Sequence, residues 1–411
     1  MTNSVRPFET RLHALSMVLA FVLLSALAAA PAAQAQSYKV LYNFTGGSDG
    51  GPPVGSLVQD KAGNLYGTTF LGGDSNYGCA DGCGTVFKVT KSGTETVLYR
   101  FTGGTDGGFP EAGLILSGNT LYGTTYCGGS GGGSDCDTGN GVVFEVNIKS
   151  GAETVLYTFT GAADGANPQA GLVRDKRGNL YGTTEYGGSS NYGTVFEVVP
   201  KSKEETVLHS FDGGDGANPL SGLTLNTTGR ALFGTAYGGG SSGYGVVFSL
   251  TIRTGAYTVL HNFTGASDGG NPVGTLALDP KGNLYGTTAY GGDPNCGDGD
   301  GCGTVFEVVP KSKTETVLYS FTGDPDGDGP VGGVIRDTKG RLYGTTVAGG
   351  AYGYCGTVFE LVKGTETVLH SFDWSDGGYP DGVVQDSKGN LYGTAREGGS
   401  DGWGVVWELT P

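Results

Sequence analysis

The chain has 411 residues, of which 81 are glycine and 16 proline, so about a quarter of it disfavours long helices. It also carries 22 Tyr, 18 Phe and 3 Trp, more than a disordered polar chain contains, and it lacks the Gly-X-Y period of collagen. Its formal charge of −16, with no basic cluster, argues against binding to nucleic acid or anionic membranes. The composition predicts an all-β, turn-rich globular protein.

The first 35 residues have the pattern of a secretory signal peptide. Arg6 and Arg11 precede an apolar stretch from about Met17 to Ala30, and Ala33-Gln34-Ala35 forms a small-x-small cleavage pattern. The apolar stretch is shorter than the roughly 20 residues that a membrane-spanning helix needs. We therefore expect an exported protein, secreted or periplasmic, with no membrane insertion after cleavage. Its mature chain, residues 36–411, has a formal charge of −17.

The mature chain opens with a short alternating strand, Val40–Phe44, and continues with seven copies of one unit of about 54 residues. Four predicted strands make up each unit, and in the first copy they begin near Leu57, Leu65, Gly84 and Val97. The second strand reads Leu-Tyr-Gly-Thr-Thr or a close variant, and its copies start at Leu65, Leu121, Leu180, Leu232, Leu284, Leu342 and Leu391.

Seven near-equal units of four strands predict a seven-bladed β-propeller, a single domain spanning residues 36–411. The small side chains of the Gly-Thr-Thr strand fit a position near the crowded axis. The last unit ends with Val405–Leu409, a copy of the third strand, so its fourth strand must come from Val40–Phe44. That pairing closes the ring and leaves no open blade edge. A β-solenoid is the alternative, although its rungs are usually shorter.

The recurring sequence GNLYGTTxxGG…GTVFEV…TETVLYSFTGGxDGxxP resembles the GloVer tandem repeat, or choice-of-anchor repeat, of bacterial secreted proteins. The resemblance covers essentially the whole mature chain and implies no established activity. The glycine doublets and the strand order are also loosely similar to kelch and NHL-type propellers, which is an analogy of fold alone.

Two loops of each blade are expected on one face of the propeller. The first, between the fourth strand and the next blade, reads Asp-Gly-x-x-Pro, and turn chemistry explains its Asp better than a ring of cation-binding carboxylates does. The second is rich in glycine and varies most between copies. Exposed aromatic rings beside small polar groups suit sugars, although such rings also anchor loops on neighbouring blades. The candidate ligand-binding residues are Tyr126, Tyr186, Tyr192, Tyr237, Tyr290, Arg396 and Trp403.

Catalytic and metal-binding candidates are few. Glu185 and Glu397 interrupt the repeat inside Gly-rich loops and are the acidic pair of a glycosidase or lyase, should the protein be an enzyme. We expect no organic cofactor. Calcium is the one metal considered, because Asp324, Asp326 and Asp328 match the first half of an EF-hand loop, although the second half is missing and an acidic turn explains them equally well.

The seven cysteines lie in the Gly-rich loops. In an exported protein, cysteines within one loop favour local disulfides over zinc. The expected pairs are Cys79 with Cys83, Cys127 with Cys136, and Cys296 with Cys302. Cys355 is left over, either buried and free or paired between molecules.

These observations favour an exported, monomeric, non-enzymatic propeller that binds a glycan, such as a polysaccharide, or a cell-surface protein. The alternatives are a secreted carbohydrate-active hydrolase or lyase and a purely structural envelope protein.

Overall fold

The structure, a computed structural model, describes residues 36–73, 79–129 and 139–411; the signal-peptide prediction and the predicted partner Cys136 lie outside these residues. The described part of the chain forms 28 β-strands in seven four-stranded antiparallel sheets, the blades. A short 3₁₀ helix, Gly297–Gly299, is the one helical element in the described ranges. No helix in them is long and apolar enough to cross a membrane.

The first strand of the chain is β1 (Ser37–Asn43). Blades 1 to 3 follow in chain order, with the strands β2 (Gly51–Gln59), β3 (Leu65–Leu71), β4 (Thr85–Val89) and β5 (Glu95–Arg100); β6 (Ile115–Ser117), β7 (Thr120–Thr125), β8 (Val142–Asn147) and β9 (Glu153–Thr158); and β10 (Val173–Arg174), β11 (Leu180–Thr184), β12 (Thr194–Val199) and β13 (Glu204–Ser210).

Blades 4 to 6 contain the strands β14 (Thr224–Leu225), β15 (Ala231–Ala236), β16 (Val246–Thr251) and β17 (Ala256–Asn262); β18 (Gly270–Leu278), β19 (Leu284–Tyr290), β20 (Thr304–Val309) and β21 (Thr314–Ser320); and β22 (Val334–Arg336), β23 (Leu342–Thr346), β24 (Thr357–Val362) and β25 (Thr365–Ser371). Blade 7 contains β26 (Gly378–Gln385), β27 (Leu391–Glu397) and β28 (Val405–Thr410), and β1 completes it.

The ring closes through blade 7, as the sequence predicts. Strand β1 pairs with β28 in antiparallel register, from Ser37 opposite Thr410 to Asn43 opposite Val405, with a bulge between Val40 and Tyr42. The two ends of the chain therefore share one sheet, and the seventh blade has no unpaired outer edge.

The glycine of each Leu-Tyr-Gly-Thr-Thr strand is required by packing. In blade 3, Phe196 of β12 lies over Gly182 of β11, and a Cβ added there would lie 2.6 Å from the Phe196 Cζ atom. Every blade repeats this contact, and in blade 7 the fully buried Trp407 takes the place of the phenylalanine over Gly393. Close packing of a large aromatic ring on the bare backbone explains why this glycine is present in all seven blades.

The threonines that follow this glycine join one blade to the next. The Thr68 hydroxyl of blade 1 donates to the Ala112 carbonyl of blade 2 at 2.9 Å, and Thr345 of blade 6 donates to the Asp381 carbonyl of blade 7 at 2.7 Å. The Gly-Thr-Thr strand is thus second from the axis. The innermost position belongs to the preceding strand and to the Gly, Ala and Ser residues at its start or just before it, which line the axial cavity.

The outer seam between blades repeats a three-residue contact. A Tyr or His of one blade's fourth strand bonds the Asp of its own Asp-Gly turn, as Tyr157 does with Asp164 at 3.0 Å. A Glu from the next blade faces this Asp, here Glu205, whose Oε1 is buried without a hydrogen-bond partner among the described residues. The recurring glutamates are Glu95, Glu153, Glu205, Glu315 and Glu366, and burial raises the pKa of each to about 7.

Tyrosine replaces this glutamate at two seams. Tyr38 of β1 stacks on His370 of blade 6, with ring centroids 3.8 Å apart, and its hydroxyl donates to the Asp376 carbonyl at 2.8 Å. Tyr257 of blade 4 makes the same contacts with blade 3, stacking on His209 at 3.8 Å. Tyr38 is therefore the contact through which the N-terminal strand holds blade 6 as well as blade 7.

Candidate functional site

The two variable loops of a blade lie together on one face of the propeller, here called the loop face. In blade 1, the Gly73 amide of the Gly-rich loop donates to the Gly47 carbonyl of the Asp-Gly turn at 2.9 Å. In blade 3, the Gly188 amide makes the corresponding bond to the Ala162 carbonyl, also at 2.9 Å. The backbone bonds between the loops hold them together, so their side chains form one surface.

The aspartates of the Asp-Gly turns serve the turns themselves. Asp49 accepts hydrogen bonds from the Thr45 amide at 2.9 Å and from the Tyr42 hydroxyl at 3.0 Å. Asp326 accepts the equivalent bonds from the Thr322 amide and the Tyr319 hydroxyl. These bonds support the interpretation of the aspartates as turn residues.

A cavity of about 360 Å³ lies on the propeller axis, within the size range of small-molecule sites. Residues from all seven blades line it, most of them on or just before the innermost strands. Among the positions around the cavity, the one directly after the proline of the Asp-Gly-x-x-Pro turn varies most between blades. In chain order its residues are Val54, Glu111, Gln169, Leu220, Val273, Val331 and Asp381. All but Val54 line the cavity.

A fixed ion pair forms one wall of this axial pocket. Arg396, near the end of β27 in blade 7, donates from Nε to Asp381 Oδ2 at 2.9 Å and from Nη2 to Asp381 Oδ1 at 3.3 Å. Asp381 is buried, and its Oδ2 also accepts the Gly55 amide of blade 1 at 3.0 Å. The charge of Asp381 raises the pKa of Arg396 above its usual range. The guanidinium is thereby held at the pocket with its position set by a carboxylate.

Two further carboxyl groups lie near the pocket on blades 2 and 3. Burial raises the pKa of Glu111 to about 7, the positive charge of Arg396 opposes this rise, and the negative charge of Glu185 adds to it. Burial also raises the pKa of Glu185, and its Oε2 is buried without a hydrogen-bond partner in the described residues. Glu111 therefore titrates near neutral pH, where a carboxyl can act either as a proton donor or as a charge.

Tyrosines accompany these carboxyl groups. A hydrogen bond to Glu185 raises the pKa of Tyr186 to about 12, and burial and the charges of Glu185 and Glu111 raise that of Tyr126. Burial and the neighbouring Tyr290 raise the pKa of Tyr237. The predicted ligand-binding residues Tyr290 and Arg396 lie at the ends of β19 and β27, and Tyr126, Tyr186 and Tyr237 lie within two residues of the ends of β7, β11 and β15. Of these five residues, Arg396 lines the cavity.

The pocket has two chemically different sides. Blades 7, 2 and 3 contribute the polar residues Asp381, Arg396, Glu111 and Gln169. Blades 4, 5 and 6 contribute Leu220, Val273 and Val331. A ligand with hydroxyl or charged groups along one edge and an apolar face on the other matches this division.

The other predicted aromatic residues anchor loops. Trp403 lies against the turn of blade 1, where a Cβ added to Gly46 would be 2.2 Å from its Cε2 atom. Tyr192 covers Gly213 of the next blade in the same manner. Both rings keep about two fifths of their surface exposed, at 37% for Trp403 and 43% for Tyr192.

Glu397 is exposed and is the last residue of β27, directly after Arg396. The negative charge of Glu185 raises the pKa of Glu111, so these two glutamates are the pair of carboxyl groups that interact here. The sequence interpretation did not single out Glu111, Gln169 or Asp381. The signal that marks them is the variation directly after the turn proline.

Asp324, Asp326 and Asp328, the calcium candidates, lie in the turn before blade 6. No group of three His, Cys, Asp or Glu residues in the described ranges is arranged to hold a metal ion. The Asp326 carboxylate accepts three hydrogen bonds within its own blade, from Thr322 and Tyr319.

Two of the predicted disulfides are present, Cys79–Cys83 and Cys296–Cys302. Both close Gly-rich loops on the loop face. The predicted partner of Cys127 lies outside the described residues. Cys355 is buried and free, one of the two states expected for it.

Seven four-stranded blades closed by the N-terminal strand define a β-propeller, and a pocket lies at its axis. The chain belongs to the Gloeobacter/Verrucomicrobia repeat family, whose model matches residues 30–230 and 228–411. This confirms the resemblance that the repeats indicate. No curated protein matches the chain in sequence.

Solved propellers of different chemistry are similar to the chain. A structure of oligogalacturonate lyase from Vibrio parahaemolyticus matches 92% of this chain and 94% of that chain, with 10% identity and a TM-score of 0.54. A gluconolactonase from Xanthomonas campestris matches 94% of this chain and 92% of that one, with 14% identity and a TM-score of 0.46. The first likeness supports the propeller fold, and neither assigns an activity.

Proposed function

We propose that the protein is an exported, non-enzymatic β-propeller that binds a saccharide in the axial pocket. The two-sided pocket carries this proposal. A sugar ring has an apolar face that fits beside Leu220, Val273 and Val331, and hydroxyl groups that pair with Arg396 and Gln169 across the pocket. Export is supported by the signal-peptide pattern and by the two disulfides, which persist in oxidising compartments.

The ligand site requires little movement, because its parts are held in place. Asp381 holds Arg396, the Gly55 amide holds Asp381, and the closed ring holds the seven innermost strands. A pre-organised site loses less conformational entropy on binding and so retains more of its contact energy as affinity. A saccharide of a polysaccharide or of a cell-surface glycan is the ligand class we propose.

Binding assays with a panel of polysaccharides and their oligosaccharides test this function. Residues 36–411 are incubated with each glycan, and both retention and newly released sugar are scored. We expect retention without release. Gln169→Ala, which removes a hydrogen-bonding side chain from the wall of the pocket, should weaken binding about tenfold. Tyr352→Ala, at a loop residue that is 61% exposed and does not line the pocket, is the control and should leave binding unchanged.

A carbohydrate-active enzyme is the second candidate, and one observation favours it. Glu111 has a pKa of about 7 beside a second carboxyl, Glu185, which is the pattern of a general acid with an acidic partner. Release of sugar in the same panel, abolished by Glu111→Gln, would replace the binding proposal with this one. If the protein neither retained nor altered any glycan, a cell-surface protein ligand or a structural role in the envelope would be the remaining explanations.

A further inference from the structure

We propose that the axial pocket takes glycans by their chain ends, so that a terminal sugar unit enters along the propeller axis and the interior units of a chain are excluded. The inference rests on the saccharide-binding function proposed above and names the part of the glycan that binds. It depends on the continuous wall that the seven blades build around the cavity.

The wall of the cavity has no gap between neighbouring blades. A Cβ added to Gly55 of blade 1 would lie 2.3 Å from the Gly113 nitrogen of blade 2, and a Cβ added to Gly274 of blade 5 would lie 2.4 Å from the Gly333 nitrogen of blade 6. At each of the seven seams, such an added Cβ would lie within 3.4 Å of an atom of the adjacent blade. The glycines that show this, all of which line the cavity, are Gly55, Gly171, Gly222, Gly274, Gly332 and Gly382.

A sugar ring cannot pass between two blades, because the innermost strands leave no room for even a methyl group between them. Strand β1 completes the seventh blade, so the ring of blades has no open side either. The route into the cavity is therefore along the axis. A glycan that takes this route has to lead with one of its ends.

The hydrogen-bonding side chains of the pocket lie at its loop-face mouth. Glu111 and Gln169 directly follow the prolines of their Asp-Gly-x-x-Pro turns, and Arg396 lies near the end of β27, where the Gly-rich loop of blade 7 begins. Together they offer a carboxyl, an amide and a guanidinium, which accept from and donate to hydroxyl groups. A terminal sugar unit has one more free hydroxyl than an interior unit, so it has more groups to pair with them.

The size of the cavity limits how much of a chain enters. About 360 Å³ lies at the lower end of the range for small-molecule sites and gives room for about one or two sugar rings. Ser56, Thr275 and Gly332 line this cavity and also a second one of about 260 Å³, so the two adjoin. A chain that reaches the second cavity still enters by its end. The remainder of a long chain stays outside and adds no contacts in the pocket.

An interior unit of a polysaccharide fits this geometry less well. It carries glycosidic bonds on two sides of its ring, so both arms of the chain would have to leave through the same mouth. That arrangement folds the chain back on itself and restricts its torsions, which costs conformational entropy. A site on the outer loops would have no such wall and would accept interior units as readily as ends. Preference for chain ends therefore distinguishes the axial pocket from a surface site.

A competition assay with chains of different length tests the inference. Residues 36–411 bind an immobilised polysaccharide, and soluble fractions of the same polysaccharide compete. The probes are amylose, β-1,3-glucan and xylan, together with any other polysaccharide that the panel above retains. Each is cut to fractions of about 10 and about 100 units, and because the shorter fraction has about ten times as many ends per gram, it should compete about tenfold better at equal mass.

Borohydride reduction, which opens the ring of the reducing end, tells the two ends of a chain apart. Competition is lost if the reducing end enters the pocket and is kept if the other end does.

A variant with a narrowed pocket supplies a second readout. Leu220→Trp places a larger ring on the cavity wall and should abolish retention of every fraction. Ser242→Trp adds the same ring at an exposed loop position and should keep both retention and its dependence on chain length. The comparison of fractions uses the unaltered protein, so it decides the inference whether or not Leu220→Trp folds.

Equal competition per gram by the two fractions, or stronger competition by the longer one, would overturn entry by the chain end and leave saccharide binding in place. A folded Leu220→Trp protein with unchanged retention would overturn it as well. If the panel retained no polysaccharide at all, the parent proposal and this inference would fall together.

Discussion

Tyr38 should be the most informative single residue for testing how the ring is closed. It belongs to β1, yet it packs on blade 6, where its ring stacks on His370 and meets Phe372 edge-on with centroids 5.7 Å apart. Its hydroxyl donates to the Asp376 carbonyl at 2.8 Å. Burial raises its pKa well above the usual range, so the hydroxyl stays neutral and keeps this bond at every ordinary pH.

The cost of Tyr38→Ala follows from these contacts. Truncation of a buried aromatic side chain to alanine typically costs about 3–5 kcal/mol. Since Tyr38 is not fully buried, we take the lower end, about 3 kcal/mol, which already includes about 1 kcal/mol for the hydrogen bond. With an unfolding entropy of about 2.1 cal/mol/K per residue, this lowers the Tm of residues 36–411 by about 4 °C. Tyr38→Phe should lose about 1 kcal/mol alone.

Urea unfolding and limited proteolysis of residues 36–411 measure the effect. Tyr257→Ala is the matched control, since Tyr257 makes the same stack on His209 and donates to the Asp215 carbonyl at 2.7 Å. Both variants should lose a similar free energy of unfolding. Only Tyr38→Ala should also expose β1 to proteases, because Tyr257 lies on β17, far from either end of the chain. A loss below about 1 kcal/mol for Tyr38→Ala, or equal proteolysis of both variants, would refute the closure described here.

Two further predictions concern the seams and the blades. Burial raises the pKa of Glu205 and its four counterparts from the ordinary value of 4.5 to about 7, so their protonated forms favour folding. The stability that these protonated glutamates add is complete at pH values below their pKa in the unfolded chain. It is lost as the pH rises through their pKa in the folded protein, so the Tm should fall between about pH 5 and 7. Glu205→Gln should raise the Tm at pH 7.5 and flatten this dependence, whereas Glu204→Gln should do neither; a flat profile in the parent protein would contradict the assignment. Gly182→Ala should cost about 1–3 kcal/mol in urea unfolding, because the added Cβ meets Phe196. Gly238→Ala, with its nearest neighbour 3.9 Å away, is the control, and equal losses would count against the packing argument.

The fold could be predicted because the repeated sequence unit determines both the strands of a blade and the number of blades. Seven copies of four alternating strands fix the blade number, and the extra strand at Val40–Phe44 indicates how the ring closes. The sequence predicted less well which strand lies nearest the axis. Small residues do lie at the axis, but the smallest come from the first strand of each blade and the segment just before it, as at Gly113, which packs against the Ser56 carbonyl of blade 1.

The site could be predicted in part. Glu185 and Arg396 stand out because they interrupt the repeat at a loop position that otherwise holds Tyr, Phe, Ala or Val. Glu111 and Asp381 do not stand out in this way, because they follow a turn proline and look like surface residues of the turn. Only the closed ring brings that position of six blades to the same cavity.

The roles of the loop aromatics depend on contacts between blades. Trp403 and Tyr192 are as prominent in the sequence as Tyr126, yet each packs on a glycine of the following blade's turn. The turn glycine that accepts Trp403, Gly46, is more than 350 residues away in the chain. A local sequence pattern carries no information on such a contact, so the sequence could not identify these two rings as loop anchors.

A crystal structure of residues 36–411 with a retained oligosaccharide would test the central claim most directly. The account predicts ligand density in the axial pocket, with a ring face towards Leu220 and Val273 and polar groups towards Glu111 and Arg396. Density on the outer loops, for instance beside Tyr352 or Trp403 with the pocket empty, would contradict it.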